Sequence, residues 1–114
     1  MSEHHLQDTI FDELVYCRCL VIRVNSGARG VIKFAWWAML GITRQSRGVS
    51  DLIGITPKGR FFAIECKDGS NKPSPEQLEF LSGVNERGGI GIVAYSIRDI
   101  DALLQAIDTA PEAR

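Results

Sequence analysis

The stretch 48–67 constrains this chain more than any other part of its sequence. Two runs of β-branched and aromatic residues flank a short loop that contains Pro and Gly, and this pattern predicts a β-hairpin. Lys58 stands midway between Asp51 and Glu65, so a hairpin that turns there brings the two carboxylates opposite or nearly opposite each other. Like charges at cross-strand spacing repel, and the pair therefore requires a compensating group.

Alternation of side chains along the second strand places Lys67 on the same face as Glu65 and turns Cys66 to the other face. Two carboxylates beside an ammonium suit a hard divalent cation such as Mg²⁺, which binds few protein carboxylates and fills its remaining positions with water or phosphate oxygens. The constellation predicts phosphodiester chemistry. The alternative is a surface hairpin in which Glu65 and Lys67 form an ion pair and Asp51 merely ends a loop.

The residues before Glu65 help to decide between a catalytic site and a surface hairpin. The run 61–64 is apolar on both faces, which is typical of a strand inside a covered sheet. An acid and a lysine at the end of such a strand are costly to bury, and this favours a functional reading of the pair.

Several stretches of the chain resemble, in the same order, the virus-type replication-repair nuclease (VRR-NUC) domain, a branch of the PD-(D/E)XK nuclease superfamily. The resemblance implies an α/β fold with a restriction-endonuclease-like core, in which helices flank a mixed sheet of about four or five strands. It also implies a metal-dependent endonuclease that uses Mg²⁺ or Mn²⁺. The stretches that carry it are 23–28, 48–51, 59–67, 74–77 and 88–94.

The resemblance assigns roles to individual residues. Asp51 and Glu65 would bind the metal, with the Cys66 main-chain carbonyl as an additional ligand, and Lys67 would assist the attacking water. Glu3, in the predicted first helix, matches the position of an acidic residue that lies close to the metal in this family. Glu3 is equally explained as a first-turn acid favoured by the helix dipole.

Gln77 has two competing interpretations. The family's matching glutamine is thought to reach the metal-bound water or the scissile phosphate. Ser74, Pro75 and Gln77 also form a capping box that opens a helix, and there the Gln77 side chain would only close the cap. We expect one amide to serve one of these roles at a time.

Charge is unevenly distributed, although the formal net charge is only −1. Residues 18–72 hold ten Lys or Arg against three Asp or Glu, and a basic field of this kind suits a phosphate backbone. An unevenly charged, solvated surface would give the same count. If the basic field binds nucleic acid, we expect DNA contacts from Arg44, Arg47, Lys72 and Ser50. Ser50 stands where many superfamily members have proline.

The remaining periodicity predicts further elements along the chain. A helix over 2–17 buries Leu6, Ile10, Leu14 and Cys17, and a strand covers 20–24. A helix after Ser74 buries Leu78, Leu81 and Val84 and ends at Gly88 or Gly89, and a buried strand covers 90–95. Ser96 opens a last helix that buries Ile100, Leu103, Leu104 and Ile107. The apolar run 31–40, with Trp36 and Trp37, fits a strand or a short helix.

The 114 residues suit one domain, 1–114, and no apolar run is long enough to span a membrane. We expect a cytoplasmic protein of a bacterial or phage-type setting, with neither disulfides nor a zinc site. The resemblance extends to junction-resolving enzymes, which implies a homodimer that acts on branched or junction DNA. The alternatives are a non-catalytic nucleic-acid-binding module, and a flap- or single-strand-directed nuclease that needs a partner.

Overall fold

The computed structural model describes residues 2–24 and 49–108. Its elements follow the predicted order of helix, three strands, helix, strand and helix. They are α1 (Glu3–Tyr16), β1 (Leu20–Arg23), β2 (Leu52–Ile55), β3 (Phe61–Cys66), α2 (Pro75–Glu86), β4 (Ile90–Ala94), a 3₁₀ helix (Ile97–Ile100) and α3 (Asp101–Gln105). The predictions for Arg44, Arg47, the two tryptophans and 31–40 lie outside the described residues.

The four strands form one mixed sheet in the order β1-β2-β3-β4. The first two pairings are antiparallel, and β3 pairs with β4 in parallel. In the β2–β3 hairpin, Leu52 is paired with Ile64 and Ile55 with Phe61, so the register is centred on Lys58 as predicted. Gly59, with φ of 88°, provides the left-handed residue of the turn.

Helices cover both faces of the sheet, which confirms the α/β class. One face packs against α1 and the C-terminal helical segment, through side chains that include Leu6, Ile10 and Leu14. The other face packs against α2, where Ala63 contacts Leu81 and Val84. Strand β3 is therefore the central element of the core, and its residues 62–66 are all buried.

Leu78 does not lie in the core, contrary to the prediction. Its side chain is 50% exposed, whereas Leu81 and Val84 are buried. The helical repeat explains the error, because residues at i, i+4 and i+7 share one face of a helix. Counted back from Val84 and Leu81, the next residue on the buried face is Gln77. A glutamine thus occupies the inward position at the start of α2.

The structure corrects two further predictions. The last segment begins with the 3₁₀ helix and continues into the short α3, instead of forming one helix from Ser96. Strand β4 is mostly half-buried, not buried. The three cysteines lie in the described part of the chain and are all free thiols. None of the helices described is long and apolar enough to cross a membrane.

Candidate active site

Asp51 and Glu65 lie together on the α2 face of the hairpin. Asp51 directly precedes β2 and Glu65 follows Ile64 in β3, so each stands one residue beyond the Leu52–Ile64 pair. Both residues are buried, with exposures of 5% and 2%. Asp51 Oδ2 accepts a 2.9 Å hydrogen bond from the main-chain N–H of Cys66, which fixes the Asp51 carboxylate against β3. The hairpin therefore holds two carboxyl groups side by side out of solvent.

This proximity changes the acidity of Glu65. Burial raises its pKa to about 8, and the negative charge of Asp51 acts in the same direction. The Lys67 ammonium acts in the opposite direction but does not offset these two effects. Near neutral pH, Glu65 therefore keeps its proton unless a cation takes the proton's place.

Lys67 follows β3 and faces the same carboxyl group. Its Nζ lies 3.7 Å from Glu65 Oε1, and its side chain is only 15% exposed. The Lys67 main-chain N–H donates to Ala94 O at 2.9 Å, which ties this part of the chain to β4. The ion pair of the alternative interpretation is therefore present, but its location at the surface of the hairpin is wrong, because both side chains are largely buried.

Gln77 connects α2 to the acidic pair. Its Oε1 accepts a 2.7 Å hydrogen bond from the main-chain N–H of Ser74, while its Nε2 donates to Glu65 Oε1 at 2.8 Å. The Ser74 Oγ accepts from the main-chain N–H of Gln77, which completes the predicted capping box. Gln77 thus closes the cap with its oxygen and contacts Glu65 with its nitrogen, and its contact with a metal-bound water or a phosphate stays a prediction.

Two buried side-chain oxygens at this site lack a hydrogen-bond donor among the described residues, Glu65 Oε2 and the Oγ of Ser50, which is next to Asp51. Within residues 2–24 and 49–108, no group donates a hydrogen bond to the buried Glu65 Oε2. When it is protonated, the Glu65 carboxyl also hydrogen-bonds to Asp51, which contributes to its raised pKa. The described residues contain no cluster of three or more His, Cys, Asp or Glu side chains, so a cation here would draw on two carboxylates and on main-chain or water oxygens. Such a set of hard oxygen donors fits Mg²⁺ or Mn²⁺.

Glu3 is held by a residue of the loop between β3 and α2. Its Oε2 accepts a 3.1 Å hydrogen bond from Asn71 Nδ2. Burial, Asp51 and Glu65 raise the pKa of the Cys66 thiol to about 12, and the Glu3 charge adds to that rise. Glu3 therefore acts on Cys66 through its charge, and it does not form a third carboxylate with Asp51 and Glu65 among the described residues. No sequence signal indicated its contact with Asn71.

The residues expected to contact DNA divide into three cases. Lys72 is exposed in the loop that follows Lys67. Ser50 is fully buried, because alternation along the chain turns it to the α1 face, opposite to Asp51. That burial contradicts the expectation of a DNA contact through the Ser50 side chain. Arg44 and Arg47 lie outside the described part of the chain.

The chain matches solved structures in its fold, although no family model and no curated protein matches it in sequence. One solved structure, called "VRR_NUC domain", superposes with a TM-score of 0.62 at 21% identity and covers 92% of this chain and 97% of its own. The chain has the VRR_NUC fold. A second, called "VRR_NUC domain protein", has a TM-score of 0.56 at 19% identity and covers 100% of this chain and 98% of its own.

The VRR_NUC fold confirms the resemblance that the short motifs indicated, at the level of architecture. The mixed sheet with helices on both faces is the architecture that the resemblance implied. At these identities the likeness establishes the fold alone. It does not assign chemical roles to Asp51, Glu65 or Lys67.

Proposed function

We propose that this protein is a metal-dependent endonuclease that hydrolyses DNA phosphodiester bonds. The observation that carries the proposal is the buried Asp51–Glu65 pair, which shares its face with Lys67 and has an acceptor, Glu65 Oε2, with no hydrogen-bond donor among the described residues. Two buried carboxyl groups and an ammonium are unfavourable as a purely structural feature. A bound cation would satisfy them.

Asp51, Glu65 and the Cys66 main-chain carbonyl would hold Mg²⁺ or Mn²⁺. When bound, such an ion polarises a phosphoryl oxygen and lowers the pKa of a coordinated water. The protein's own part is to present both carboxylates in a fixed orientation. The hydrogen bond from Cys66 N–H to Asp51 and that from Gln77 to Glu65 restrict the two groups before substrate arrives.

Lys67 supports the reaction from the same face. Its Nζ, 3.7 Å from Glu65 Oε1, would orient the attacking water and stabilise the negative charge that develops on the phosphoryl oxygens. The water oxygen forms a new bond to phosphorus while one phosphorus–oxygen ester bond breaks. The proton lost by the water goes to solvent, and the departing alkoxide takes up another.

DNA is the proposed substrate because Lys and Arg outnumber Asp and Glu in the part of the sequence that contains the acidic pair. Residues 18–72 carry ten Lys or Arg against three Asp or Glu, and the exposed Lys72 lies in the loop between Lys67 and α2. A domain of 114 residues offers little surface to hold branched DNA, and a two-fold dimer would match the symmetry of a four-way junction. We therefore include a homodimer and junction DNA in the proposal.

One cleavage experiment tests the assignment. Purified protein is incubated with junction, flap, duplex and single-stranded DNA and with RNA, in Mg²⁺, in Mn²⁺ and in EDTA. We expect cleavage of DNA by the wild type with either metal, and losses of at least about 100-fold for Asp51→Asn and Lys67→Met. The exposed Glu86 provides the matched control Glu86→Gln, which should cleave like the wild type.

The outcomes separate the candidates. Equal cleavage by the wild type, Asp51→Asn and Lys67→Met would refute the assignment. DNA binding that is sensitive to salt, insensitive to EDTA and without turnover would indicate a non-catalytic binding module instead. Light scattering with and without junction DNA tests the dimer, and a monomer at micromolar concentration in both samples would exclude it.

A further inference from the structure

Asn71 is the centre of a hydrogen-bonded group outside the acidic pair. Its Nδ2 donates to Glu3 Oε2 at 3.1 Å and to Asp68 Oδ1 at 2.5 Å. Its main-chain carbonyl accepts a 3.0 Å hydrogen bond from the Tyr95 hydroxyl, and its main-chain N–H donates to Asp68 O at 2.9 Å. We name Glu3, Asn71 and Tyr95 the loop clasp.

The clasp joins three elements that are distant in the chain. Glu3 is the first residue of α1, and Tyr95 directly follows β4. Asn71 lies in the loop 68–74 between them, which has no regular secondary structure of its own. A loop of this kind gains its fixed position from such contacts, because it has no ladder of backbone hydrogen bonds.

Both ends of the loop belong to the candidate active site. It begins immediately after Lys67, whose Nζ faces Glu65, and it ends at Ser74, whose N–H binds the Gln77 amide. Lys72, the exposed cation of the loop, follows Asn71 directly. Because Asn71 and Lys72 are consecutive, the position of Asn71 fixes the position of the Lys72 backbone relative to the acidic pair.

We propose that Glu3 is a positioning residue of the loop clasp, and that Glu3, Asn71 and Tyr95 together hold the loop 68–74 in the conformation that receives the DNA backbone. This inference rests on the proposed nuclease function. In this role the Glu3 carboxylate serves as a hydrogen-bond acceptor for Asn71, and its negative charge is dispensable. A glutamine has the same acceptor in the same place.

The pair of variants Glu3→Gln and Glu3→Ala tests this role. Both remove the charge near the start of α1, so both lose the same helix-dipole interaction. Only Glu3→Gln keeps an oxygen that can accept from Asn71 Nδ2. The measurements are KM and kcat for DNA cleavage, and the affinity for Mn²⁺ by calorimetry.

We expect Glu3→Gln to retain the wild-type KM, kcat and Mn²⁺ affinity within about two-fold. Glu3→Ala should raise KM by roughly three- to ten-fold, as for the loss of one hydrogen bond, with kcat and Mn²⁺ affinity little changed. Tyr95→Phe removes one hydroxyl from the other side of the clasp and should reproduce the KM effect. Loss of Mn²⁺ binding or of kcat in Glu3→Gln would overturn the proposal and make Glu3 a metal ligand.

Hydrogen exchange of the loop 68–74 gives a readout that does not depend on catalysis. Glu3→Ala and Tyr95→Phe should accelerate exchange of the Asn71 amide several-fold, and Glu3→Gln should not. Unchanged exchange in all three variants would refute the clasp even if the wild type cleaves DNA. A wild type that cleaves nothing would refute the nuclease assignment, while the exchange data would still decide whether the clasp exists.

Discussion

Gln77 Nε2 donates a 2.8 Å hydrogen bond to Glu65 Oε1, and this bond ties the first turn of α2 to the acidic pair. The opposite end of the same amide accepts from the main-chain N–H of Ser74. The side chain that begins the helix is therefore the one that orients a proposed metal ligand. The donor and acceptor functions of Gln77 can be separated by substitution.

Gln77→Glu keeps the acceptor for Ser74 N–H but replaces the donor to Glu65 with a third carboxyl group. We expect a loss of about 1–3 kcal/mol in the free energy of unfolding, and the loss should be larger at pH 8 than at pH 5 because ionised carboxylates repel. Urea unfolding in EDTA at both pH values measures it. An equal loss at pH 5 and pH 8 would show that repulsion with Glu65 is not the cause.

Glu65 should make the metal-free protein less stable as pH rises. Its pKa is raised from 4.5 to about 8, so the folded state binds the proton more tightly than the unfolded state does. The stabilisation is fully present below pH 4.5 and is lost as pH rises through about 8. We expect the wild type to lose stability over this range relative to Glu65→Gln, by an amount on the order of 3 kcal/mol. Parallel pH profiles from urea unfolding in EDTA would contradict this.

Mg²⁺ should stabilise the folded protein through the same pair. At a free concentration of 100 times Kd, binding to the folded state alone adds about 2.7 kcal/mol. Calorimetric unfolding at pH 8 with and without MgCl₂, at matched ionic strength, measures the effect. We expect it to disappear in Asp51→Asn and Glu65→Gln and to persist in Asp101→Asn, whose side chain is exposed. A shift of Tm that survives in Asp51→Asn would place the ion elsewhere.

Gly91 allows α2 to approach β4. A Cβ at this position would lie 2.7 Å from Leu81 O, and a main-chain atom cannot give way as a side-chain end can. We expect Gly91→Ala to cost about 1–3 kcal/mol by overpacking and to move α2, with Gln77, away from the sheet. Gly83→Ala is the matched control, because there the Cβ meets only the Arg87 side-chain end at 3.3 Å, and alanine favours the helix by about 0.5–1 kcal/mol. Equal stability of the two variants would contradict the close approach.

The hairpin register and the capping box could be predicted from sequence because both depend on spacing over a few residues. Lys58 is the centre of symmetry of the pairing, and Ser74 and Gln77 stand at the two fixed positions of the cap. Leu78 was mispredicted because the stripe of Leu78, Leu81 and Val84 repeats every three residues. A helix has about 3.6 residues per turn, so such a stripe leaves the buried face after one turn. The local pattern thus determined where the two acids meet.

The contacts of Glu3 could not be predicted in this way, whereas alternation next to Asp51 could have predicted that Ser50 faces the other side of the sheet. Glu3 accepts from Asn71, which is 68 positions away in the chain, so their contact depends on how α1 and the loop pack in the folded domain. Ser50 belongs to a motif adjacent to Asp51, and alternation turns it to the opposite face. The DNA contact expected of Ser50 was inferred from its place in the motif without applying this alternation.

The turn of the β2–β3 hairpin offers a practical attachment point. Lys58 lies seven residues from each of the two acids, which corresponds to about 23 Å of extended strand. Pro57, Lys58 and Gly59 are all exposed, and nothing lies within 4 Å of a Cβ built at Gly59. A fluorophore or a surface linker coupled at Lys58 would leave the opposite end of the same ribbon undisturbed, so single-molecule or immobilised formats are accessible without altering the acidic pair.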